Sequence, residues 1–235
     1  MARRLLVDDV LDSLRERIVA GEFPEHAPLP GEHELVSQYE VSRVTVREAI
    51  KVLHAQGLVR IERGRGTYVN PTRSWTSLPA VIQALSTQGD PAQISRDLLE
   101  MRGILECGAA QLAAERIGPE DLAALDAQVT AMEEASAAAD VEAFVRADLA
   151  FHAVVLAASG NPFVPVLMEP LSAVLAAARA ETSAVPQIQA HAIVEHRRVR
   201  AALASGDGAA AREAMAAHLR QTAEDLRRYV THPHA

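Results

Sequence analysis

At 235 residues, 49% hydrophobic and 23% charged, the chain has the length of two ordinary domains and the composition of a globular protein. Aromatics are only 3% and alanine is the commonest residue, which favours helices over sheets, while no uninterrupted apolar run approaches the ~18 residues of a membrane span and the lone Cys107 excludes an internal disulfide. The net charge of −8 is unevenly carried: residues 1–73 hold 11 basic and 11 acidic side chains, and the rest hold 12 and 20. The opening MARRLLVDD puts two acids where a signal peptide would carry its apolar core, so a cytoplasmic location is expected.

Val7, Val10, Leu11, Leu14 and Ile18 recur at helical spacing and predict a helix over 4–20 that Gly21 ends. GEFPEHAPLPGE reads as a proline-rich loop, and Leu35, Val36 and Tyr39 mark a short second helix beginning near Gly31. After a tight turn at Glu40–Val41, Ser42 caps a third helix running to Gln56, with Val46, Ala49, Ile50 and Leu53 as its buried stripe and Gly57 at its end. Leu58–Glu62 and Thr67–Val69 are β-prone and flank Arg63-Gly64-Arg65-Gly66 in a hairpin pattern. Helix, helix, turn, helix and hairpin make a winged helix-turn-helix of residues 1–72, followed by a linker helix in 73–92 built on Leu78, Val81, Ile82 and Leu85.

Between residues 43 and 65, Arg43, Arg47, Lys51, Arg60, Arg63 and Arg65 stand against only Glu48 and Glu62. A basic patch on an otherwise acidic protein is the footprint of docking on a polyanion. Arg43, Arg47 and Lys51 lie four apart on the third helix and form one ridge, joined at its start by Ser42 and Thr45. A second helix of this kind enters the major groove, where Arg pairs with guanine and Ser or Thr meets phosphates or bases. Arg63 and Arg65, beside Gly66, are placed at the hairpin tip to enter a minor groove or touch the backbone.

Breaks at Gly118-Pro119, Asp140, Gly160-Asn161-Pro162, Val185-Pro186 and Ser205-Gly206-Asp207-Gly208 divide residues 93–231 into about six helices, with Asn161 and Pro162 as a cap and first-turn proline. The expected fold is therefore mostly α, an N-terminal winged helix-turn-helix plus a C-terminal antiparallel helical bundle. Polar residues interrupt its apolar stripes: Asp148 and His152 in the series Val141, Val145, Val155, Ser159; His196 with Ala192, Val199, Leu203; His218 with Ala211, Met215, Thr222. One carboxylate and three imidazoles pointing inward suit a divalent metal such as zinc, nickel or manganese, although single inward histidines are more often satisfied core residues. Arg102 shares a stripe with Leu98, Leu105, Ala109 and Leu112, so its guanidinium needs an anion, either Glu106 one turn on or an anionic ligand.

The segment LPGEHELVSQYEVSRVTVREAIKVLHAQGLVRIERGRGTYV resembles the DNA-binding domain of the GntR family of bacterial transcription regulators, across residues 5–70. The resemblance rests on VSRVTVREAI, the Gly57-Leu58 turn and the GRGTYV wing. It implies dimers on palindromic double-stranded operators, with Arg43 and Arg47 on DNA and the wing glycine, Gly66, beside the minor groove. Two departures stand in LPGEHELV, where the family has LPSERELA: Gly31 replaces a capping serine and His33 an arginine that would face phosphate. MRGILECGAAQLAAERI, DLAFHAVVLAASGNPFV, VEHRRVRAAL and GDGAAAREAMAAHL resemble the successive motifs of the FCD ligand-binding domain of the FadR subfamily, over about residues 95–229.

This second resemblance implies a divalent metal held by Asp148, His152, His196 and His218, with Arg102 meeting the carboxylate of a small organic-acid effector. It implies a homodimeric regulator, usually a repressor relieved by ligand. SGNPF and the region of Trp75 are similar to members that sense sugar acids or hydroxy acids. His191, His232 and His234 match no motif position and read as solvated. The alternative is a metal-dependent hydrolase using the same His/Asp cluster, although the chain has no His-Glu-x-x-His helix and no Gly-x-Ser-x-Gly elbow.

Overall fold

In a computed structural model that describes residues 2–231, the chain divides between Asp90 and Pro91 into two units, each with its own core. Helix α1 (Ala2–Val19) ends where Gly21, at φ +78°, lets its own N–H reach the Ile18 carbonyl and that of Glu22 the Arg17 carbonyl, each at 3.0 Å. Helix α2 (Glu32–Tyr39) begins at Gly31 without a side-chain cap, whereas Ser42 Oγ accepts the Thr45 N–H at 3.2 Å and starts α3 (Arg43–Ala55). The apolar faces of these helices meet around Leu14, Leu35, Val46, Leu53 and Leu58.

Strand β1 (Val59–Glu62) pairs antiparallel with β2 (Gly66–Val69), in the register Val59 to Val69. The proline-rich stretch before α2 is not a free loop: Pro28 bridges to Tyr68, and the Leu29 N–H bonds the Thr67 carbonyl at 2.8 Å. It covers the edge of β2 that the two-stranded hairpin would otherwise leave open.

Helix α4 (Leu78–Gln88) departs from the linker expectation. Ala80 and Ala84 are buried in the first unit's core alongside half-buried Trp75, whose indole N–H donates to the Asn70 carbonyl at 3.0 Å, while Leu78 and Leu85 remain exposed. The small alanine face, not the large apolar stripe, allows close approach to α1. Gly57 closes the same region at φ +74°, and a Cβ there would lie 2.4 Å from the Ser74 carbonyl oxygen. Gly57→Ala should therefore destabilise the first unit by about 2–4 kcal/mol, combining left-handed strain with a backbone clash. Gly31→Ala, with open space around it and an extended backbone, should be close to neutral. Denaturant unfolding followed by circular dichroism measures both.

The second unit is built from α5 (Pro91–Ala114), α6 (Pro119–Ala137), α7 (Val141–Ala158), α8 (Phe163–Met168), α9 (Ser172–Ser183), α10 (Pro186–Ala204) and α11 (Gly208–Asp225), followed by a π-helical stretch at Leu226–Thr231. Asp140 and Asp207 cap α7 and α11 through the N–H groups of Ala143 and of Ala209 and Ala210. Short connections fold α6 back on α7 and α10 on α11, and α5 packs against both α7 and α11. Phe144, Phe151, Leu125, Met132, Leu203 and Met215 fill the centre.

The fourth of the expected helices is in fact two, α8 and α9, separated by a 3-10 turn at Glu169–Leu171, because Pro170 has no N–H to continue the helical ladder. Pro162, expected in the first turn, instead takes the cap position of α8, and Asn161 stands one residue before it, its Oδ1 accepting the Phe163 N–H at 3.1 Å. By length and apolarity alone Phe163–Ser183, with a mean hydropathy of 1.4, has the measure of a membrane span, which the expectation from uninterrupted apolar runs missed. The turn breaks that stretch, and Arg179 and Thr182 within it are buried in the helical unit. His232 and His234 lie outside the described residues.

Candidate nucleic-acid interface and metal centre

On α3 the side chains of Arg43, Arg47 and Lys51 are exposed along one ridge, as their four-residue spacing requires. Each is held by a neighbour. Arg43 Nη2 lies 2.7 Å from His33 Nε2, Arg47 Nε donates to Glu32 at 3.0 Å, and Lys51 Nζ to Glu48 at 2.7 Å. His33, which stands where an arginine was expected, thus positions Arg43 instead of reaching outward.

Thr45 does not join the ridge: it is 3% exposed and its hydroxyl lies 2.9 Å from that of Ser42. As the third residue of the helix it turns inward, so the outer face at the helix start belongs to exposed Val44, an apolar group suited to a thymine methyl that the charge pattern did not single out. Ser42 is exposed, with its oxygen engaged in the cap. At the hairpin tip Arg63 and Arg65 are exposed, and Arg65 lies 3.3 Å from Glu62. Gly66 adopts φ +134°, a conformation that favours glycine, which explains its place in the wing.

In the second unit α7, α10 and α11 bring one ring nitrogen from each of His152, His196 and His218 within 4.8 Å of one another, all three side chains buried. His196 Nδ1 is 2.7 Å from the Ala192 carbonyl, which only accepts, so that nitrogen carries the proton and Nε2 presents its lone pair to the cluster. Arg102 Nη2 donates to His152 Nε2 at 3.2 Å, and His152 Nδ1 lies 2.7 Å from Glu106. Burial pushes the His152 pKa down to about 4, and burial, with the mutual repulsion that protonated His196 and His152 would add, pushes His218 well below its ordinary value, so the His152 and His218 rings are neutral at pH 7.

The residues fit a divalent metal. The Nε2 atoms of His152 and His218 are 3.3 Å apart, the separation of about 3.3 Å that two nitrogens on one tetrahedral zinc adopt. Two lone-pair nitrogens this close repel unless a proton or cation lies between them. His196 Nε2, on the side that faces the cluster, is buried with no hydrogen-bond partner, a state that polar groups in protein interiors rarely tolerate. Asp148 Oδ1 sits 3.2 Å from His196 Nε2 and 4.0 Å from His152 Nε2, while its other oxygen is paired with Arg179. Burial opposes ionisation of Asp148, but the adjacent Arg179 charge and the contacts with His196 and His152 together outweigh it and hold the carboxyl well below the usual range.

Arg102 has the nearer of its two expected partners. Its Nε donates to Glu106 at 2.6 Å, and the pair is buried, with Arg102 3% and Glu106 1% exposed. Arg179 on α9, which no spacing pattern marked, is the second buried cation among the described residues; burial and the nearby Arg102 charge pull its pKa down to about 10. Beside this cluster a cavity of about 420 Å³ between α7, α8 and α9 reaches His152, Glu106 and Arg179. His191, expected to be solvated, is half-buried and lies 3.0 Å from buried Asp225.

Residues 6–69 match the family described as Bacterial regulatory proteins, gntR family, and residues 97–221, more than half the chain, match the FCD domain. The HTH-type transcriptional regulator LutR of Bacillus subtilis is 35% identical over 215 residues, 89% of this chain and 95% of its own. The Galactonate operon transcriptional repressor of Escherichia coli is 32% identical over 214 residues, 88% of this chain and 90% of its own. Among solved structures, Streptococcus agalactiae GntR superposes with a TM-score of 0.51 at 28% identity, over 93% of this chain and 99% of that one. Both sequence relatives are named as transcription regulators, which sets aside the hydrolase alternative. With its N-terminal and helical units both matched, the protein belongs to the GntR family of bacterial regulatory proteins, as an FCD-domain regulator of transcription and not an enzyme.

Proposed function

We propose that the protein is a cytoplasmic, homodimeric repressor whose hold on a palindromic double-stranded operator is relieved by a small carboxylate sensed at a divalent metal site. Residues 1–72 read DNA through α3 and the hairpin, and residues 93–231 sense the effector and dimerise. The observation that carries the sensing role is the buried three-histidine cluster with the orphaned Nε2 of His196. His152, His196, His218 and Asp148 would hold the ion, zinc before nickel or manganese given the nitrogen-rich set.

Bound there, the ion supplies a positive charge that neutral imidazoles do not cancel. Arg102 and Arg179 are already balanced by Glu106 and Asp148, so the surplus invites an anion. An acid with a hydroxyl next to its carboxylate offers two oxygens to the same site, in keeping with a relative named for a galactonate operon. The effector acts on operator affinity only through its differential affinity for the DNA-bound and free proteins.

Fluorescence anisotropy with an upstream palindromic fragment tests this reading. Metal-loaded protein should bind the fragment in a salt-sensitive manner, and a sugar acid or 2-hydroxy acid should release it. Arg47→Ala should weaken operator binding roughly five- to hundredfold, with little effect on random DNA. Lys51→Ala should weaken binding to all sequences alike and flatten the salt dependence. Parental affinity in Arg47→Ala would remove α3 from the major groove.

A further inference from the structure

We propose that the cavity beside the histidine cluster selects a carboxylic acid with an apolar tail, that Arg179 receives its carboxylate, and that polyhydroxylated sugar acids are refused. This rests on the reading of the helical unit as a carboxylate sensor and narrows it.

The cavity of about 420 Å³ has two unlike parts. Its inner end carries Glu106, His152 and Arg179, and its walls are Leu149, Ala150 and Leu156 from α7, Pro165 and Met168 from α8, and Leu175 from α9. Glu169 and Ser172 also line it, but both are exposed and so stand at the rim. Between the charged end and the rim there is a stretch of aliphatic wall.

Arg179 is only 9% exposed. Its Nε is paired with Asp148, yet Nη1 is buried without a hydrogen-bond partner. A buried guanidinium N–H without an acceptor is costly, and a ligand carboxylate in the cavity would supply one. Arg102 has no such opening, since Nε and Nη2 both donate to Glu106. The Glu106 charge does not oppose an incoming anion strongly, because Arg102 neutralises it.

Selection follows from the walls. A sugar acid carries a hydroxyl on nearly every carbon, and those along the wall would exchange water for leucine, alanine or methionine, with Glu169 and Ser172 polar only at the rim. An aliphatic tail loses nothing there, and each methylene removed from water tightens binding roughly fourfold. A hydroxyl next to the carboxylate remains at the polar end and is unaffected.

The test is isothermal titration calorimetry on the zinc-loaded full-length protein, using lactate, 2-hydroxybutyrate, 2-hydroxyvalerate and 2-hydroxyhexanoate against galactonate and gluconate. Affinity should rise roughly fourfold per methylene along the series, and 2-hydroxyhexanoate should bind at least tenfold more tightly than either sugar acid. Arg179→Gln, assayed at saturating zinc with its metal content measured in the same sample, should lose at least tenfold in affinity for every acid. Met168→Gln, which places an amide on the wall, should narrow the gap between the two classes; it decides the matter if Arg179→Gln does not fold. Equal or tighter binding of galactonate, a flat series, or parental affinity in Arg179→Gln overturns the inference while leaving the carboxylate sensor standing. Binding of neither class overturns both.

Discussion

Arg102→Ala is expected to destabilise the helical unit by about 3–5 kcal/mol, measured by urea unfolding, because it leaves the Glu106 carboxylate buried and unpaired. The side chains of Arg102 and Glu106 are 4% and 1% exposed, and their 2.6 Å contact is within α5 itself, so the variant leaves the carboxylate at the closed end of the cavity without its cation. The pair also supports His152: Arg102 holds Glu106 in place, and Glu106 accepts from His152 Nδ1 at 2.7 Å, which orients the ring and keeps the Nε2 lone pair for the metal. Zinc affinity should therefore fall in the same variant, by roughly ten- to hundredfold as for other groups that orient ligands. Replacing both partners, as in Arg102→Met with Glu106→Leu, should recover most of the stability but not the metal affinity. A loss under about 1 kcal/mol in Arg102→Ala would show that Glu106 is satisfied by another group.

His196→Ala is expected to lower zinc affinity by at least about a hundredfold, since losing a ligand costs more than losing a group that merely orients one. At saturating zinc a hundredfold weaker site removes about 2.7 kcal/mol of metal-linked stabilisation. Elemental analysis should find about one divalent ion per parental chain and much less in the variant after dialysis. Melting of the parent should fall with chelator, and melting of the variant should not. A parent that takes up no ion and melts identically with chelator would leave His152, His196 and His218 as ordinary core residues.

The DNA-reading half was largely legible in the chain because its cues are local. Ser42, Gly57 and the four-residue spacing of Arg43, Arg47 and Lys51 each act within one or two turns, and each is where the local pattern puts it. Thr45 turned inward because its place in the capping turn outweighs the polarity of its side chain. In the helical half, the periodicity placed Asp148, His152, His196 and His218 on inner faces, and they do converge. Arg179 was invisible because its partner Asp148 lies 31 positions earlier on another helix, and nothing in SAVLAAARAETS distinguishes a buried arginine from a solvated one. The packing of α4 was missed for a related reason: the small face of Ala80 and Ala84 carries no hydrophobic signal comparable to that of Leu78 and Leu85, which stay exposed.

The partners of the reading helix have a kinetic consequence. Arg43, Arg47 and Lys51 are already engaged by His33, Glu32 and Glu48 before any DNA arrives. On unrelated DNA each phosphate contact must first break one of these links, so the gain per encounter is small and the dwell time short. On the operator, where base edges add bidentate contacts, the exchange is repaid. With α3 reading DNA as proposed, the acids and the histidine would shorten futile stops during scanning of the genome, at the cost of part of the final grip.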